Sequence, residues 1–531
     1  MLMDQPKIFE SLKNPGFYGS DVDSVDVLQT HISFVALTGK YAYKVKKPVD
    51  FGFLDFSTLE KRKYYCEEEI RLNRRLCPDI YLDVVPITLE DNKMVLGGSG
   101  RVVDYAVKMK EFPQEHIMTK LLQQNKVAEK TIDKICDILI DFYKSGEKSK
   151  EIEKFGRLES IKKNIDENFE QTISVVDVTI PRDIYEFIKK ANDDFFKKKK
   201  DVFEKRIKNG RIKDSHGDLH SGNIVLSDKI YIFDCIEFNK RFRYCDVASD
   251  IGFLAMDLDF LNHPFLSSYL INRYVEKSGD RDIFEVLNFY KSYRAYVRGK
   301  VIGFRLNDPN VKESEIKEIV ETTKKYYQLS YYYTSLLSVD LQIDKPIIFV
   351  VSGLSGTGKS TLALKLVVDY NASYINTDVV RKEIAGIDKY ERHHDPINTG
   401  LYSQEKVDYT YEKVIEKAAE ILKKKSNVVV DATFQKKKYR DLAKKIADEN
   451  NAVFILVQTT ALDNIVRKWL DKRLKKKTVS DGRWEVYLNQ KKTFEPYSPE
   501  EKPVIVDMSK EDYQSRMKAF WEILKRVQEE K

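Results

Sequence analysis

The chain has 531 residues, 42% hydrophobic and 33% charged, with 91 Lys and Arg against 84 Asp and Glu for a net charge of +7. At ~150 residues per domain this means two or three packed units with apolar material for real cores, and the basic excess is too small to announce a nucleic-acid binder. Five cysteines without a CxxC pair argue against a disulfide framework or a zinc site, the start MLMDQPKIFE carries no signal-like pattern, and no run approaches the ~18 apolar residues of a membrane span. A soluble protein of the reducing cytoplasm with small anionic partners and no membrane partner is expected.

Residues 31–46 read as a β-hairpin around Thr38-Gly39-Lys40, and 57–76 as a helix that stops before Cys77-Pro78. Strands resume at 84–89 and 102–109. From about Thr119 to Asp214 the period is helical, with no glycine between Gly156 and Gly210. Two short strands, 224–226 and 230–233, interrupt before helical periodicity returns from about 246 to 336. Residues 338–345 look like a linker. Beyond Pro346 the run IIFVVSG reads as a strand buried on both faces, and further strands at 373–375, 427–430 and 452–457 alternate with helices, the pattern of a doubly wound α/β unit. The lysine runs at 197–200, 423–425 and 475–477 read as solvated helix faces.

Gly353-Leu354-Ser355-Gly356-Thr357-Gly358-Lys359-Ser360, followed by Thr361, matches GxxxxGK[ST] between a strand and a helix, the context that gives this motif its meaning. Its backbone amides would wrap phosphates, Lys359 would reach the β and γ oxygens, and Ser360 would ligate Mg²⁺. Asp431 ends NVVVD where a second acidic metal position belongs. Ala432 follows it, so the glutamate that activates water in many ATPases is missing, which favours transfer to a bound acceptor over hydrolysis. Asp378, a candidate base, and Arg381, a candidate acceptor contact, follow the second strand of this half, and Arg467 and Arg473 lie in a segment suited to a phosphate-clamping lid. This half resembles the small-molecule and polynucleotide P-loop kinases, whose acceptors are sugars, antibiotics or nucleic-acid 5′ hydroxyls.

The earlier half carries His216-Gly217-Asp218-Leu219-His220-Ser221-Gly222-Asn223 and then Asp234 in YIFDCIEF. In that order a loop Asp orients an acceptor hydroxyl, an Asn five residues on binds Mg²⁺, and a strand-end Asp binds the Mg²⁺ that bridges the ATP phosphates. Here the chain resembles the aminoglycoside phosphotransferase family, whose fold is like that of protein kinases. The resemblance makes Asp218 the catalytic base, Asn223 and Asp234 metal ligands, and Lys44 the strand lysine on the α and β phosphates, with Lys46 its competitor. The lysine's helix partner would be Glu67, Glu68 or Glu69, of which Glu68 stands in better i, i+4, i+8 relation to Leu72 and Leu76. Residues 107–113 would form an adenine-binding hinge, while no GxGxxG lies in the first hairpin. Arg243, Asp246 and Asp250 would brace the catalytic loop. Arg294 and Arg298 read either as contacts to an anionic acceptor or as a salt-bridged face. His393-His394 reads as surface.

The order of the halves resembles the fused bifunctional aminoglycoside phosphotransferase/ATP-binding proteins. The resemblance implies an α+β, protein-kinase-like bilobal domain over 1–337 and an α/β P-loop domain with a parallel sheet over 346–531. Each would use ATP and Mg²⁺ to phosphorylate a hydroxyl of a small molecule. Nucleic-acid ends are the alternative acceptor for the second half, and a non-catalytic regulatory role is the alternative for the first.

Overall fold

The computed structural model describes residues 5–307, 311–391, 399–474 and 478–530, so His393-His394 and the lysines at 475–477 lie outside the described residues. The chain packs as two compact units, one of residues 1–167 with 200–261 and the other of residues 168–199 with 262–531. No described helix is long and apolar enough to cross a membrane.

The first unit opens with a six-stranded sheet, β1 (Asp26–Gln29), β2 (Ser33–Leu37), β3 (Tyr41–Lys46), β4 (Tyr81–Glu90), β5 (Lys93–Leu96) and β6 (Arg101–Lys110), in the order β1-β2-β3-β6-β4-β5. Every pairing is antiparallel. Side chains alternate across a strand, so β3 sends Tyr43 and Val45 into a core with Ile8 and Leu12 of the helix Gln5–Leu12. Ala42, Lys44 and Lys46 share the other face, where Ala42 packs with Cys66 and Ile70 of the helix Leu59–Asn73. Thr58 caps that helix by accepting from the Lys61 amide. The short strands β7 (Ile212–Asp214), β8 (Ile224–Leu226), β9 (Ile230–Ile232) and β10 (Tyr244–Asp246) follow the helices of the middle segment. β8 and β9 form a hairpin, and β10 pairs with β7. An antiparallel sheet with one helix between its third and fourth strands, followed by a catalytic-type loop and a hairpin, is the kinase-like α+β arrangement.

In the second unit β11 (Ile347–Ser352), β12 (Ser373–Asn376), β13 (Val428–Asp431), β14 (Val453–Thr460) and β15 (Val504–Asp507) form a parallel sheet in the order β12-β13-β11-β14-β15. All six residues of β11 are buried, as its unbroken apolar run requires of a central strand covered on both faces. β15, and β1, β5, β7 and β10 in the first unit, were not among the strands expected from sequence.

The helix Glu313–Gln342 runs through most of the segment expected to be a linker. It belongs with the P-loop helix Lys359–Asp369: the Tyr332 hydroxyl donates to Asp369 Oδ2 at 2.9 Å, Asn288 Nδ2 donates to the Asp369 carbonyl at 2.9 Å, and Asp369 pairs with the buried Lys365. Compactness therefore divides the chain elsewhere than at 338–345. In the lysine run at 197–200, Lys198 donates to the Leu341 carbonyl and Lys199 pairs with Asp340, so these two are not simply solvated.

Candidate active sites

In the first unit the shared face of β3 brings Lys44 and Lys46 to one carboxylate. Lys44 Nζ lies 2.9 Å from Glu69 Oε1 and 2.6 Å from Asp234 Oδ1, and Lys46 Nζ lies 2.6 Å from Glu69 Oε2. The helix partner is thus Glu69 and not Glu68, which turns away to Arg71 at 2.7 Å. The reason is the helix face: Arg62, Cys66, Glu69, Ile70, Leu72 and Asn73 are buried, and Glu69 lies between Cys66 and Asn73 at helical spacing, whereas Glu68 sits at the margin with part of its side chain exposed. Burial alone would raise the Glu69 carboxyl, but Lys44 and then Lys46 hold it down to about 2. Lys46 is also bonded to the buried Glu237, a residue the sequence reading passed over; burial pushes the Glu237 carboxyl up against the pull of Lys46. Lys44 keeps slight exposure while Lys46 is sealed.

The catalytic-type loop is held from behind. Asp250 accepts from the His216 and Gly217 amides at 2.7 and 2.9 Å, Arg243 Nε donates to Asp214 Oδ1 at 2.6 Å, and Asp246 pairs with Arg206 at 2.6 Å. These contacts suit the expected bracing role, and Asp246 also caps the helix Val247–Phe260 by accepting from the Ala248 amide. Buried His216 accepts from the Asp218 amide at Nδ1, so its Nε2 carries the proton and donates to the Phe233 carbonyl at 2.9 Å. One neutral ring thus ties Asp218 to the strand end before Asp234, and burial lowers its pKa.

Asn223 Nδ2 donates to the Asp218 carbonyl at 2.9 Å and to Asp218 Oδ2 at 3.2 Å, which leaves its amide oxygen for another partner. Asp234 sits at φ 62, the left-handed region a non-glycine residue enters only when its surroundings hold it there. Here Asn73 Oδ1 accepts from the Cys235 amide, and Tyr81 Oη accepts from Asp234 N. The expected hinge, 107–113, places Phe112 against Phe233 at 5.1 Å between ring centroids. Arg294, on the helix Phe284–Gly303 of the second unit, is buried and not on an exposed face.

In the second unit Gly353, Gly356 and Gly358 all have positive φ, and a Cβ would stand 2.5 Å from Thr459 at Gly353 and 2.8 Å from Leu470 at Gly356, so the loop admits no larger residue there. Lys359 Nζ donates to the Leu354 carbonyl at 2.9 Å. Burial lowers its pKa against the pull of Asp431 and Asp378. Arg473 shares that field: burial lowers it, and Asp378 and Asp431 oppose. Its expected lid partner Arg467 instead lies over the Trp484 ring, 5.6 Å from the centroid. Thr357 spends its hydroxyl on the Leu354 carbonyl and Thr459, while Ser360 and Thr361 are exposed at the start of the helix Lys359–Asp369. The Ser355 amide donates to Gln490 Oε1 at 2.7 Å, an oxygen a phosphate would have to replace.

Asp431 is held by two residues absent from the sequence reading. Tyr374 Oη and Asn376 Nδ2 both donate to Asp431 Oδ2 at 2.7 Å, leaving Oδ1. Asn376 Oδ1 also caps the helix Thr377–Ile384 by accepting from the Asp378 and Val379 amides. Asp378 Oδ1 accepts from Arg381 Nη1 at 2.6 Å, and Arg381 lies over Tyr402, whose hydroxyl donates to Asp481. Arg381 is thus oriented through Nη1 by Asp378 of its own helix, while its buried Nε has no hydrogen-bond partner among the described residues.

A family model described as an AAA domain matches residues 348–497. An uncharacterized protein of Mycobacterium tuberculosis (strain H37Rv) is 28% identical over 450 residues, 84% of this chain and 86% of the relative, and one from Mycobacterium bovis matches equally. Among solved structures, a gluconokinase from Sinorhizobium meliloti 1021 is 21% identical over 35% of this chain and 96% of its own, with a TM-score of 0.26. A choline/ethanolamine kinase family protein from Mesorhizobium loti is 11% identical over 63% of this chain and 99% of its own, at a TM-score of 0.37. These scores lie below the level at which a shared fold follows, so the fold rests on the topology above. The class is a chain that joins a kinase-like catalytic constellation to a P-loop nucleotide-binding domain.

Proposed function

We propose that the chain is an ATP-dependent phosphotransferase with two sites, within functional domains 1–337 and 346–531, each passing the γ-phosphoryl group of ATP to a hydroxyl of a small molecule. The observation that carries the reading is the convergence in the first unit of Lys44, Glu69, Asp218, Asn223 and Asp234, since phosphoryl transfer needs positioned charge more than covalent chemistry. Asp218 would take the acceptor's proton as its oxygen attacks the γ-phosphorus and the bond to the β-bridging oxygen breaks, releasing ADP. Lys44, freed from Asp234, would hold the α and β phosphates while Glu69 keeps it in place.

Both sites hold hard oxygen donors, Asn223 Oδ1 and the Asp234 carboxylate once Lys44 releases it in one and Ser360 Oγ and Asp431 Oδ1 in the other, a set that would suit magnesium. When bound, magnesium neutralises charge on the β and γ oxygens. In the second site the amides from Gly353 to Thr361 would wrap the phosphates, Lys359 and Arg473 would face the transferring group, and Asp378, oriented by Arg381, would be the base.

Incubation of the full chain with γ-labelled ATP and a metabolite extract tests the reading. Label should pass to small molecules, one set of products vanishing with Asp218→Asn and another with Lys359→Ala. ATP turnover without labelled acceptor, unchanged by either substitution, would overturn it.

A further inference from the structure

His220 stands between the proposed base and the proposed metal ligand, and its two ring nitrogens have different partners. Nδ1 accepts from the Gly222 amide at 3.0 Å. An amide only donates, so Nδ1 bears no proton and the neutral ring carries its hydrogen on Nε2. That nitrogen lies 3.5 Å from Asp218 Oδ2, the oxygen that Asn223 Nδ2 also approaches at 3.2 Å.

The ring's place is enforced. A Cβ on Gly222 would stand 2.8 Å from His220 Cε1 and 2.9 Å from Nδ1, so the imidazole fills the space that any other residue at 222 would claim. On the opposite side the Phe253 ring lies 5.5 Å away. The turn Ser221–Asn223 is pinned besides by Asp257, which accepts from the Ser221 amide at 2.8 Å, and by the Thr119 hydroxyl at 2.6 Å from that of Ser221.

Capping such a turn needs only a short acceptor, and Asn, Asp and Ser do it better than His. What the imidazole adds is reach from the turn to the carboxylate. We propose that His220 is a positioning residue that couples the two parts of the first site: Nδ1 fixes the turn that aims Asn223, and Nε2–H holds the Asp218 carboxylate in the orientation that receives the acceptor's proton. The proposal rests on the reading of Asp218 as base and Asn223 as metal ligand. A long contact in the nucleotide-free protein that tightens when the site is filled is ordinary for such a group.

The two roles can be separated by side chains that copy one nitrogen each. In the full chain carrying Lys359→Ala, which silences the P-loop site, His220→Asn keeps an acceptor for the Gly222 amide but does not reach Asp218, and His220→Gln reaches toward Asp218 but gives up the cap. Label transfer from γ-labelled ATP to a metabolite extract is measured at saturating Mg·ATP, with Mn²⁺·ADP affinity read by electron paramagnetic resonance. His220→Asn should bind Mn²⁺·ADP within about twofold of the parent and transfer roughly tenfold or more slowly, as expected when a base loses its orientation. His220→Gln should show the reverse, weakened Mn²⁺·ADP binding with the larger share of saturated transfer kept. Full transfer by His220→Asn would overturn the proposal, as would equal loss of both properties in both variants with unchanged melting. A parent chain that labels nothing, and is indistinguishable from Asp218→Asn, overturns instead the phosphotransfer reading on which the proposal stands.

Discussion

In the first unit two lysines and three carboxylates, Lys44, Lys46, Glu69, Glu237 and Asp234, are joined into one largely buried network, and the loop bearing Asp218 hangs from further buried charges. Around the P-loop the geometry comes instead from the backbone: glycines at positive φ, and a cap at Asn376 that sets Asp378 and Asp431 together. Charge networks leave a clear motif but no clue to which neighbour completes it, because desolvated partners come from distant elements. Backbone-built sites are written in contiguous residues, which is why the P-loop is the more legible of the two.

The largest expected effects fall on the proposed bases, and they test whether the two sites do the same chemistry. Asp218→Asn and Asp378→Ala should each lower transfer at their own site by ~10²–10⁴-fold while nucleotide affinity holds, since neither is assigned to nucleotide or metal. Label-transfer rates and nucleotide titration on the full chain check this. A fall at only one site would mean that the two are not parallel.

Next come the buried ion pairs. Removing one partner leaves an uncompensated charge and costs roughly 3–5 kcal/mol. Lys46→Met strands Glu237 and half of Glu69, so it should destabilise the first unit by that order, and adding Glu237→Gln should recover part of the loss. Lys365→Met strands Asp369 in the second unit and should cost a similar amount in stability, with the P-loop glycines untouched. Denaturant midpoints for the three variants decide.

Acid should weaken the first network in a defined window. The Glu69 carboxyl is held near 2 in the folded chain against 4.5 ordinarily. A depressed carboxyl contributes stability that is complete above its unfolded value and is lost as pH falls through its folded one, here between 4.5 and about 2. The loss is on the order of 3 kcal/mol from a shift of this size. Hydrogen exchange in the helix Leu59–Asn73 should rise through that window, and Glu69→Gln should remove the dependence there.

The expected and observed structures part at places with a common physical cause. The hairpin β8–β9, the helix at 59–73 and the strands leading to the P-loop were legible because period and turn chemistry are local. Glu69 was misplaced as Glu68 because three consecutive glutamates differ only in which face they share; the spacing Cys66, Ile70, Asn73 marks that face and was the usable signal. The helix Glu313–Gln342 overran the expected linker because Ser338-Val339-Asp340 is polar enough to look like a boundary, yet Tyr332 and its neighbours tie it to the P-loop helix. Tyr374 carries no motif, and Glu237 and His220 stand inside quoted runs without a role of their own; only the folded chain shows that they meet Asp431, Lys46 and Asp218.

The smallest predicted effect separates the backbone role of Asn376 from its electrostatic one. Its Oδ1 caps the helix Thr377–Ile384, and its Nδ2 shares Asp431 Oδ2 with Tyr374. Losing a cap costs ~1 kcal/mol, so Asn376→Ala should lower stability by about that amount. Asn376→Asp keeps a capping oxygen but sets a second carboxylate against Asp431, so it should preserve the helix while disturbing the acidic position. Tyr374→Phe removes only the phenol donor and leaves the cap alone. If Asp431 serves a metal through Oδ1, Mn²⁺·ADP affinity at this site should change in all three variants, in Asn376→Asp and Tyr374→Phe without the loss of stability that Asn376→Ala shows, because alanine removes the Nδ2 donor together with the cap. The measurement is Mn²⁺·ADP titration of the full chain carrying Asp234→Ala to weaken the other site, with melting curves alongside. Affinities that track melting in all three variants would show that the P-loop site, unlike the first, is set by its backbone and owes nothing to these donors.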